Sequence, residues 1–371
     1  MGTAAAIALA IAGIMLLVVL HELGHFFAAR SVGMRVEKLY LFFGKPIWTL
    51  RRGETEYGVG SIPLGGYAKI TGMNPEEELP PEVAPRAYYA QPVWKRIYVI
   101  LAGPVVNVIV AFLILFGTAF GIEEATGIAV GPVVAGSPAD AALERGDRIV
   151  SVDGVGAAGQ DPERQATRFA EQVASHGCAG APSEGCRAAT PVRIVVERDG
   201  ELVELALRPY YDEEVERTRL GFAFEGADFR PLDPSVGEAA EISLDQMWFI
   251  TSETGKTFAQ LFKASEREKL GSIVGAVETT RQAIQFDVEI ALRVIALVSL
   301  SLALINLLPI LPLDGGHIFW SAIEKLRGGR RASLRTMEQA SVIGLMLILI
   351  VFTIGLTNDI DRFSNGGFDL R

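Results

Sequence analysis

Cysteine is nearly absent from this sequence, and histidine is scarce. The chain has two Cys and four His among 371 residues, which excludes a cysteine-rich zinc module. Charge is missing altogether from Ala4 to Leu20, an apolar run near the N-terminus. Because no Lys or Arg precedes that run, the basic start of a secretory signal peptide is lacking. The net formal charge of −10 argues against a nucleic-acid partner.

Aliphatic residues make up the excess of apolar content. Hydrophobic residues are 50% of the chain but aromatic residues only 8%, and the mean hydropathy is +0.31. Four apolar segments approach or exceed the roughly 17–25 residues that cross a bilayer. We therefore expect a membrane protein with an α-helical core of four spans. The segments are residues 4–29, 97–120, 290–308 and 340–356.

The positions of Lys and Arg predict the orientation of these spans. Cytoplasmic links carry an excess of basic residues, and two short links here are basic, one between the first two segments and one between the last two. We expect both links to be cytoplasmic, and residues 121–289 and the acidic tail to face outward, in a multi-pass inner (plasma) membrane protein. The tail contains Asp359, Asp361 and Asp369.

The most informative stretch is His21-Glu22-Leu23-Gly24-His25, which follows the uncharged run. Two His four residues apart lie on one face of a helix, so both imidazoles can reach one metal ion. Glu22 can take a proton from a metal-bound water, as in H-E-x-x-H proteases. Titratable residues beside a membrane-length apolar run are usually functional. The alternative is a pair of interfacial His at a helix end, with Glu22 solvated.

A hydrolytic zinc needs a third protein ligand, and the end of the third apolar segment offers two. Its sequence is Asn306-Leu307-Leu308-Pro309-Ile310-Leu311-Pro312-Leu313-Asp314-Gly315-Gly316-His317. The predicted orientation places this end on the same side as the His pair. A carboxylate at that depth is costly unless it is paired or binds a metal. Residue chemistry alone leaves Asp314 and His317 as rival ligands.

Residues 31–96 have the pattern of a small cytoplasmic sheet and a loop. Val36–Phe43 and Thr55–Tyr67 predict short strands with glycine turns. Residues 74–92 are rich in Pro and Glu, which predicts a mobile loop. A sheet directly after the zinc helix would lie near the metal, where its edge could pair with an extended substrate. A plain connecting hairpin is an equal alternative.

Residues 121–228 predict a separate α+β domain. Gly131–Ala139 indicates a strand and a turn, residues 139–143 a short helix, and Arg148–Val152 a strand before the turn at Asp153. This pattern resembles the PDZ domain of bacterial membrane-associated proteases. The resemblance implies that the peptide-binding strand comes last, with Leu220-Gly221-Phe222 as its loop, and that the domain can take a peptide ligand.

The only two cysteines, Cys178 and Cys186, fall inside this predicted domain. If the domain lies outside the cytoplasm, we expect them to form a disulfide. Residues 229–289 predict an amphipathic helical linker that rests on the membrane surface, with Leu261 and Phe262 on its apolar face. The remaining predicted units are residues 1–30, 97–120, 290–320 and 340–357 as spans, 321–339 as a basic loop and 358–371 as a tail.

Several of these motifs together resemble the site-two protease family of intramembrane zinc metalloproteases. The resemblance lies in the His21–His25 motif, in Asn306-x-x-Pro309 and in Leu313-Asp314-Gly315. It extends to Gly103-Pro104-Val105-Val106-Asn107 and to Gly65-Gly66-Tyr67. With a PDZ domain between the second and third spans, the chain is similar to the bacterial group that cleaves membrane-anchored anti-sigma factors.

The resemblance implies a role for each site residue. His21, His25 and Asp314 would hold Zn²⁺, Glu22 would be the general base, and Asn306 would hold the unwound substrate. His317 would then have a supporting role. The implied substrates are single-span membrane proteins, either anti-sigma-factor-like proteins or signal-peptide remnants, in regulated intramembrane proteolysis. The PDZ domain would act as a size filter.

Two other classes of function remain as alternatives. In a membrane metal carrier, the His pair would be a transit site, but such a site gains nothing from a base at Glu22. In a non-proteolytic PDZ scaffold, the metal site would be degenerate, although every catalytic position is filled here. The expected partners are therefore transmembrane protein substrates and the lipid bilayer.

Overall fold

The computed structural model describes residues 2–74, 77–156, 161–213, 215–260, 263, 267 and 270–365. The chain forms two compact units. One contains the residues up to Phe120 and those from Pro234 onward, and the other is Gly121–Asp233. The first unit holds the long apolar helices and the second holds most of the strands, so each is described by itself.

Four helices of the first unit are long and apolar enough to cross a membrane, counted over the described residues. The chain is a multi-pass membrane protein in which shorter helices connect these candidate spans. The long helices are α1 (Thr3–Ser31), α2 (Val93–Thr118), α6 (Val288–Asn306) and α8 (Leu334–Asn365). The shorter helices of this unit are α4 (Val236–Ala259), α5 (Ile273–Phe286) and α7 (Asp314–Leu326).

Helix boundaries differ from the predicted ones where helices continue past the apolar residues. The predicted basic loop 321–339 is helical up to Leu326 and again from Leu334. Helix α8 also extends to Asn365, into the predicted tail. A helix can continue through polar residues once it leaves the bilayer, because its backbone hydrogen bonds do not depend on apolar side chains. Hydropathy therefore underestimates the length of such helices. The predicted third span, in contrast, is shorter than expected, because its helix ends at Asn306, before the Leu-Asp-Gly motif. Residues 366–371, with Asp369, lie outside the described residues.

The predicted linker 229–289 is not one amphipathic helix. The described part of this range contains α4 and α5, which are separated by non-helical residues at 270–272, and Leu261 and Phe262 lie outside the described residues. Helix α4 begins with a capping box in which Ser235 and Glu238 satisfy each other's backbone amides. Its Met247 and Ile250 pack against α2 and α6. One face of α4 therefore contacts the helix bundle, whereas its Trp248 is exposed.

Two long strands follow α1, and they extend beyond their predicted ends. Strand β1 is Val36–Arg52 and strand β2 is Thr55–Ile70, joined by a turn at Gly53 with φ of 64°. Leu39 pairs with both Ala68 and Tyr57, so the first half of β1 lies between two segments of β2. Gly44, where the sequence predicts a turn after the first strand, lies within β1 and does not end it. The predicted mobile loop 74–92 contains short 3-10 turns, and its Tyr88 is buried in the core.

The second unit is built on one main sheet with the strand order β10-β3-β4-β6-β7, and β5 pairs with β4. Helix α3 (Pro162–Ala174) covers it and buries Phe169 in the core. The main-sheet strands are β3 (Glu123–Val133), β4 (Arg148–Val152), β5 (Val155–Gly156), β6 (Val192–Arg198), β7 (Glu201–Leu207) and β10 (Phe222–Pro231). A separate hairpin is formed by β8 (Tyr210–Asp212) and β9 (Arg217–Arg219).

The short helix predicted at residues 139–143 is wrong, because this stretch forms successive turns. Pro138 and Gly146 leave seven residues between them, about two helical turns, and so short a segment gains little from helix propagation. Asp147 accepts bonds of 2.7 and 2.6 Å from the Arg198 guanidinium. Burial alone would raise the pKa of Asp147, but these bonds and the Glu144 amide lower it, so the pair stays ionised.

The cysteines and the Leu-Gly-Phe stretch also lie in this unit. Cys178 and Cys186 form a disulfide, with Cα atoms 6.1 Å apart. Leu220 is buried, and Gly221 adopts φ of 86°, where an added Cβ would also meet Ser137. Strand β10 starts directly after Gly221 and pairs on one side with β3.

Candidate metal centre

Three potential metal ligands from two helices meet inside the first unit. His21 and His25 lie on α1, and Asp314 is the first residue of α7. The His21 Nε2 and His25 Nε2 atoms are 3.2 Å apart. Asp314 Oδ2 lies 3.1 Å from His21 Nε2 and 3.3 Å from His25 Nε2. Among the described residues, these three form the one group of His, Cys, Asp or Glu side chains with metal-ligand spacing.

The three ligand atoms match the size of a zinc site. Zinc bonds of about 2.0–2.2 Å at tetrahedral angles place ligand atoms roughly 3.3–3.5 Å apart, within a few tenths of an ångström of the observed triangle. Asp314 Oδ2 is buried and receives no backbone or hydroxyl hydrogen bond from the described part of the chain. A carboxylate oxygen that faces only two imidazole nitrogens would be costly without a cation. The donor set therefore fits Zn²⁺, with a fourth position left for water or substrate.

Helix α2 fixes the orientation of one imidazole. His25 Nδ1 donates a hydrogen bond of 2.9 Å to the backbone oxygen of Val99, which leaves Nε2 free to face the other ligands. Helices α1 and α2 approach closely here, as Gly24 shows: a Cβ at this position would lie 2.6 Å from the Ala102 oxygen. Such backbone bonds to the outer nitrogen of a ligating His select its tautomer and hold its ring.

Gly103 of α2 makes the same close approach to the ligands themselves. A Cβ at this position would lie 2.3 Å from His25 Nε2 and 2.9 Å from His21 Cε1. Both distances are far below van der Waals contact, so any side chain would push the imidazoles out of place. We expect Gly103→Ala to weaken zinc binding at least about tenfold, in the range caused by misplaced ligands. Competition with a fluorescent chelator measures this affinity.

Gly117 provides the matched control on the same helix. A Cβ at Gly117 meets nothing within 4 Å, so Gly117→Ala changes helix propensity equally but leaves the site untouched. We expect its zinc affinity to equal that of the wild type. Equal affinities for the Gly103→Ala and Gly117→Ala variants would show that the imidazoles do not depend on this contact.

A tight turn brings Asp314 to the His pair. The chain leaves α6 at Asn306 and enters α7 at Asp314, and Leu313 donates a backbone bond to the Ile310 oxygen. A Cβ on Gly315 would lie 2.2 Å from the Leu307 oxygen, and one on Gly316 would lie 2.5 Å from the Leu311 nitrogen. The first turn of α7 therefore packs directly on the preceding turn. Larger residues at these two positions would displace Asp314.

Glu22 lies between the His pair in sequence and lines the same cleft. Its Oε2 accepts a hydrogen bond of 2.9 Å from the backbone N–H of Ala68, in strand β2. Strand β2 approaches α1 closely at this point, since a Cβ on Gly66 would lie 3.5 Å from the Glu22 side chain. The sheet thus positions a carboxylate beside the three ligand atoms.

The cleft encloses about 230 Å³ beside the ligand atoms. Asn306 lines it, and its side-chain amide donates to the Leu302 oxygen. His317 and Asn107 do not belong to its lining. Asn107 is instead fully buried, and its backbone oxygen accepts a hydrogen bond from Ser299 of α6. The lining consists of His21, Glu22, His25, Tyr67, Ala68, Ile70, Met73, Ile100, Asn306, Pro312, Leu313 and Asp314.

Several contributors to the cleft were not predicted from the sequence. The Val99 carbonyl and the Ala68 amide act through the backbone, so no residue type marks them. Ile70, Met73 and Ile100 are ordinary apolar residues until the fold brings them to the cleft. Only a pattern of close-packing glycines, such as Gly24 and Gly103, could have indicated where α1 meets α2.

A helical membrane unit with two His, an Asp and a neighbouring Glu around one cleft is typical of membrane metalloproteases. Comparison with known proteins agrees with this class. Residues 9–351 match the profile of peptidase family M50. The chain belongs to peptidase family M50 and is a zinc metalloprotease.

Curated relatives match this chain over nearly its whole length. Zinc metalloprotease Rip1 of Mycobacterium tuberculosis is 30% identical, with 92% of this chain and 91% of Rip1 aligned. The putative zinc metalloprotease BR1156/BS1330_I1152 of Brucella suis is 31% identical, with 92% of both chains aligned. The putative zinc metalloprotease Cj1068 of Campylobacter jejuni is 29% identical, over 94% of this chain and 91% of the relative.

Proposed function

We propose that this zinc metalloprotease cleaves transmembrane segments of single-span membrane proteins. One observation carries the proposal. The ligand atoms come from α1, a helix long enough to span a membrane, and from α7, which follows a second such helix, and they converge within 3.3 Å. A hydrolytic centre between two spans is reached most directly by a substrate segment in the same lipid layer.

His21, His25 and Asp314 are the proposed zinc ligands, and Glu22 is the proposed general base. Zinc supplies Lewis acidity, which acidifies water toward a pKa of about 7 and polarises a peptide carbonyl. Glu22 takes the proton from the attacking water and delivers it to the leaving amine. The Ala68 amide orients the Glu22 carboxylate in the absence of substrate. Val99 holds the His25 ring through the second imidazole nitrogen.

A transmembrane helix hides its peptide bonds, because every backbone amide is bonded within the helix. Cleavage therefore requires local unwinding, and the freed backbone groups need new partners. Two groups at the cleft can supply them. The Asn306 amide can bond a substrate carbonyl, and the segment of β2 at Tyr67 and Ala68 borders the cleft, where an extended peptide can add as a strand.

The second unit is proposed to be a PDZ domain. Its support is the order of a strand, turns, a strand, a helix and a late strand, β10, that starts after Leu220-Gly221. In this role the domain binds a peptide, or admits only substrates whose outer domain has already been removed. The Cys178–Cys186 disulfide is consistent with an extracytoplasmic position.

The proposed location is the inner (plasma) membrane, with the metal centre toward the cytoplasm. The support is the basic character of the two predicted links, residues 31–96 and 321–339. The proposed substrates are anti-sigma-factor-like proteins or signal-peptide remnants, which both have single spans. A metal carrier would not need Glu22, and a scaffold would not need three converging ligands.

The test is cleavage by purified protein in liposomes. A single-span substrate with different tags at its two ends is co-reconstituted, and product masses locate the cut. We expect cleavage inside the apolar segment, complete loss with 1,10-phenanthroline and recovery when zinc is added back. Cleavage confined to the extramembrane tags would contradict an intramembrane protease. Zinc flux into the liposomes without cleavage would support the carrier, and substrate binding without cleavage would support the scaffold.

A further inference from the structure

A buried ion pair links α2 to α7 away from the metal centre. Arg96, in the first turn of α2, places its Nη2 atom 2.8 Å from Oε1 of Glu324, near the end of α7. Their side chains are only 7% and 11% exposed. Charged residues are rarely buried to this degree unless they are paired, so the two side chains depend on each other.

Other contacts extend this junction to the end of β2. Arg331 Nε lies 3.4 Å from the same Glu324 oxygen, and the Arg96 guanidinium lies 5.9 Å from the centre of the Tyr88 ring. The Tyr88 amide donates to the Thr71 oxygen, directly after β2. The junction therefore joins α2 and α7 to the strand that borders the cleft.

Of the two helices that meet at this ion pair, α7 carries the potential zinc ligand Asp314, and α2 orients another, His25, through a backbone hydrogen bond. Three residues after Arg96, Val99 accepts the hydrogen bond from His25. Helix α7 begins at Asp314, ten residues before Glu324, which is about 15 Å along a helix. A helix of this length moves as a rigid body, so a shift at its last turn reaches its first residue.

We infer that the Arg96–Glu324 ion pair positions Asp314 against His21 and His25. Arg96 and Glu324 are positioning residues, because neither lines the cleft. The inference rests on the proposed ligand set. Removing Glu324 leaves the buried Arg96 charge uncompensated, and removing Arg96 leaves Glu324 with only its longer contact to Arg331. In both cases α7 must tilt or admit water to solvate the remaining charge. Either change moves the Asp314 carboxylate relative to the imidazoles held by α1 and α2.

The test compares zinc affinity, not only activity. Glu324→Gln and Arg96→Gln are each expected to raise the zinc dissociation constant about 10–100-fold, as does loss of an outer partner of a metal ligand. The double variant is expected to bind zinc no more weakly than either single variant, because both remove one interaction. Glu278→Gln is the matched control. It breaks the Arg281–Glu278 pair of α5, whose side chains are 15% and 16% exposed, and should leave zinc affinity unchanged.

Glu324→Asp covers the case in which the Gln variants fail to fold. Asp keeps the negative charge, but its side chain is one methylene shorter. We expect the zinc affinity of Glu324→Asp to lie between that of the wild type and that of Glu324→Gln. A lower melting temperature with wild-type zinc affinity would assign the pair to stability alone and overturn the inference. Asp314→Ala distinguishes a wrong ligand set from a wrong positioning inference. If Asp314→Ala retains zinc, the proposed ligand set itself is wrong. If Asp314→Ala loses zinc but Glu324→Gln binds zinc as the wild type does, only the positioning inference is contradicted.

Discussion

Replacing Glu22 with Gln is expected to lower kcat for transmembrane cleavage by at least about 10²–10⁴-fold, the usual contribution of a general base. Gln has the same shape, and its amide oxygen can still accept the Ala68 hydrogen bond. The substitution therefore removes proton transfer without removing the contact that holds the side chain. Cleavage of the reconstituted single-span substrate measures the rate, and elemental analysis of the purified variant is expected to give about one zinc per chain.

The control for Glu22→Gln is the loss of another carboxylate, one that lies in the β1–β2 hairpin and outside the cleft. Glu54, beside the turn of the β1–β2 hairpin, pairs with Arg86 on the surface and does not line the cleft. Glu54→Gln should cleave at the wild-type rate. If Glu22→Gln retains wild-type kcat with zinc bound, Glu22 is not the base and another group must move the proton.

Much of the site could be predicted because local periodicity determines it. His21 and His25 share a helix face at any position in a fold, since their spacing matches the helical repeat. The four candidate spans follow from apolar runs in the same way. Their ends could not be predicted as well, because α8 continues beyond the apolar residues to Asn365, where hydropathy carries no signal.

The choice between Asp314 and His317 lies beyond sequence chemistry. Both residues follow the same proline-containing turn, and both residue types bind zinc. The structure places Asp314 Oδ2 beside the two imidazoles, because Gly315 and Gly316 let the first turn of α7 pack on the preceding backbone. That geometry depends on a turn conformation and on where α7 docks, and neither has a periodic pattern in the sequence.

Long-range contacts complete the centre, and these leave the weakest trace in the sequence. Arg96 and Glu324 are 228 positions apart and look like ordinary charged residues at helix ends. Only the fold shows that they are buried together. Val99, whose backbone oxygen accepts the hydrogen bond from His25, has its side chain buried in the hydrophobic core. Residue type and spacing thus predict the two candidate His ligands, but the choice of the third candidate and the support of all three come from tertiary packing.

Replacing Asp314 with Ala is expected to raise the zinc dissociation constant more than about 100-fold, beyond the range seen when an outer partner is lost. The substitution removes one of the three proposed ligands and the only anionic one among them, so the two imidazoles alone would have to hold a divalent cation. Asp314→Asn tests the charge separately, since it keeps one ligand oxygen and should bind zinc with intermediate affinity. Chelator competition on detergent-purified protein measures the zinc dissociation constants of the wild type and of both Asp314 variants.

His317→Ala is the matched control, because His317 was the rival ligand and lies one turn further along α7. We expect its zinc affinity to stay within a few-fold of the wild type, since its imidazole is outside the group of ligand atoms. A loss of zinc in His317→Ala together with retention in Asp314→Ala would reverse the assignment. Residues three apart on a helix are offset by about 300° and about 4.5 Å. The first turn of α7 would then have to rotate by about 60° and shift by about 4.5 Å along its axis before His317 could take the place that Asp314 now has beside the His pair.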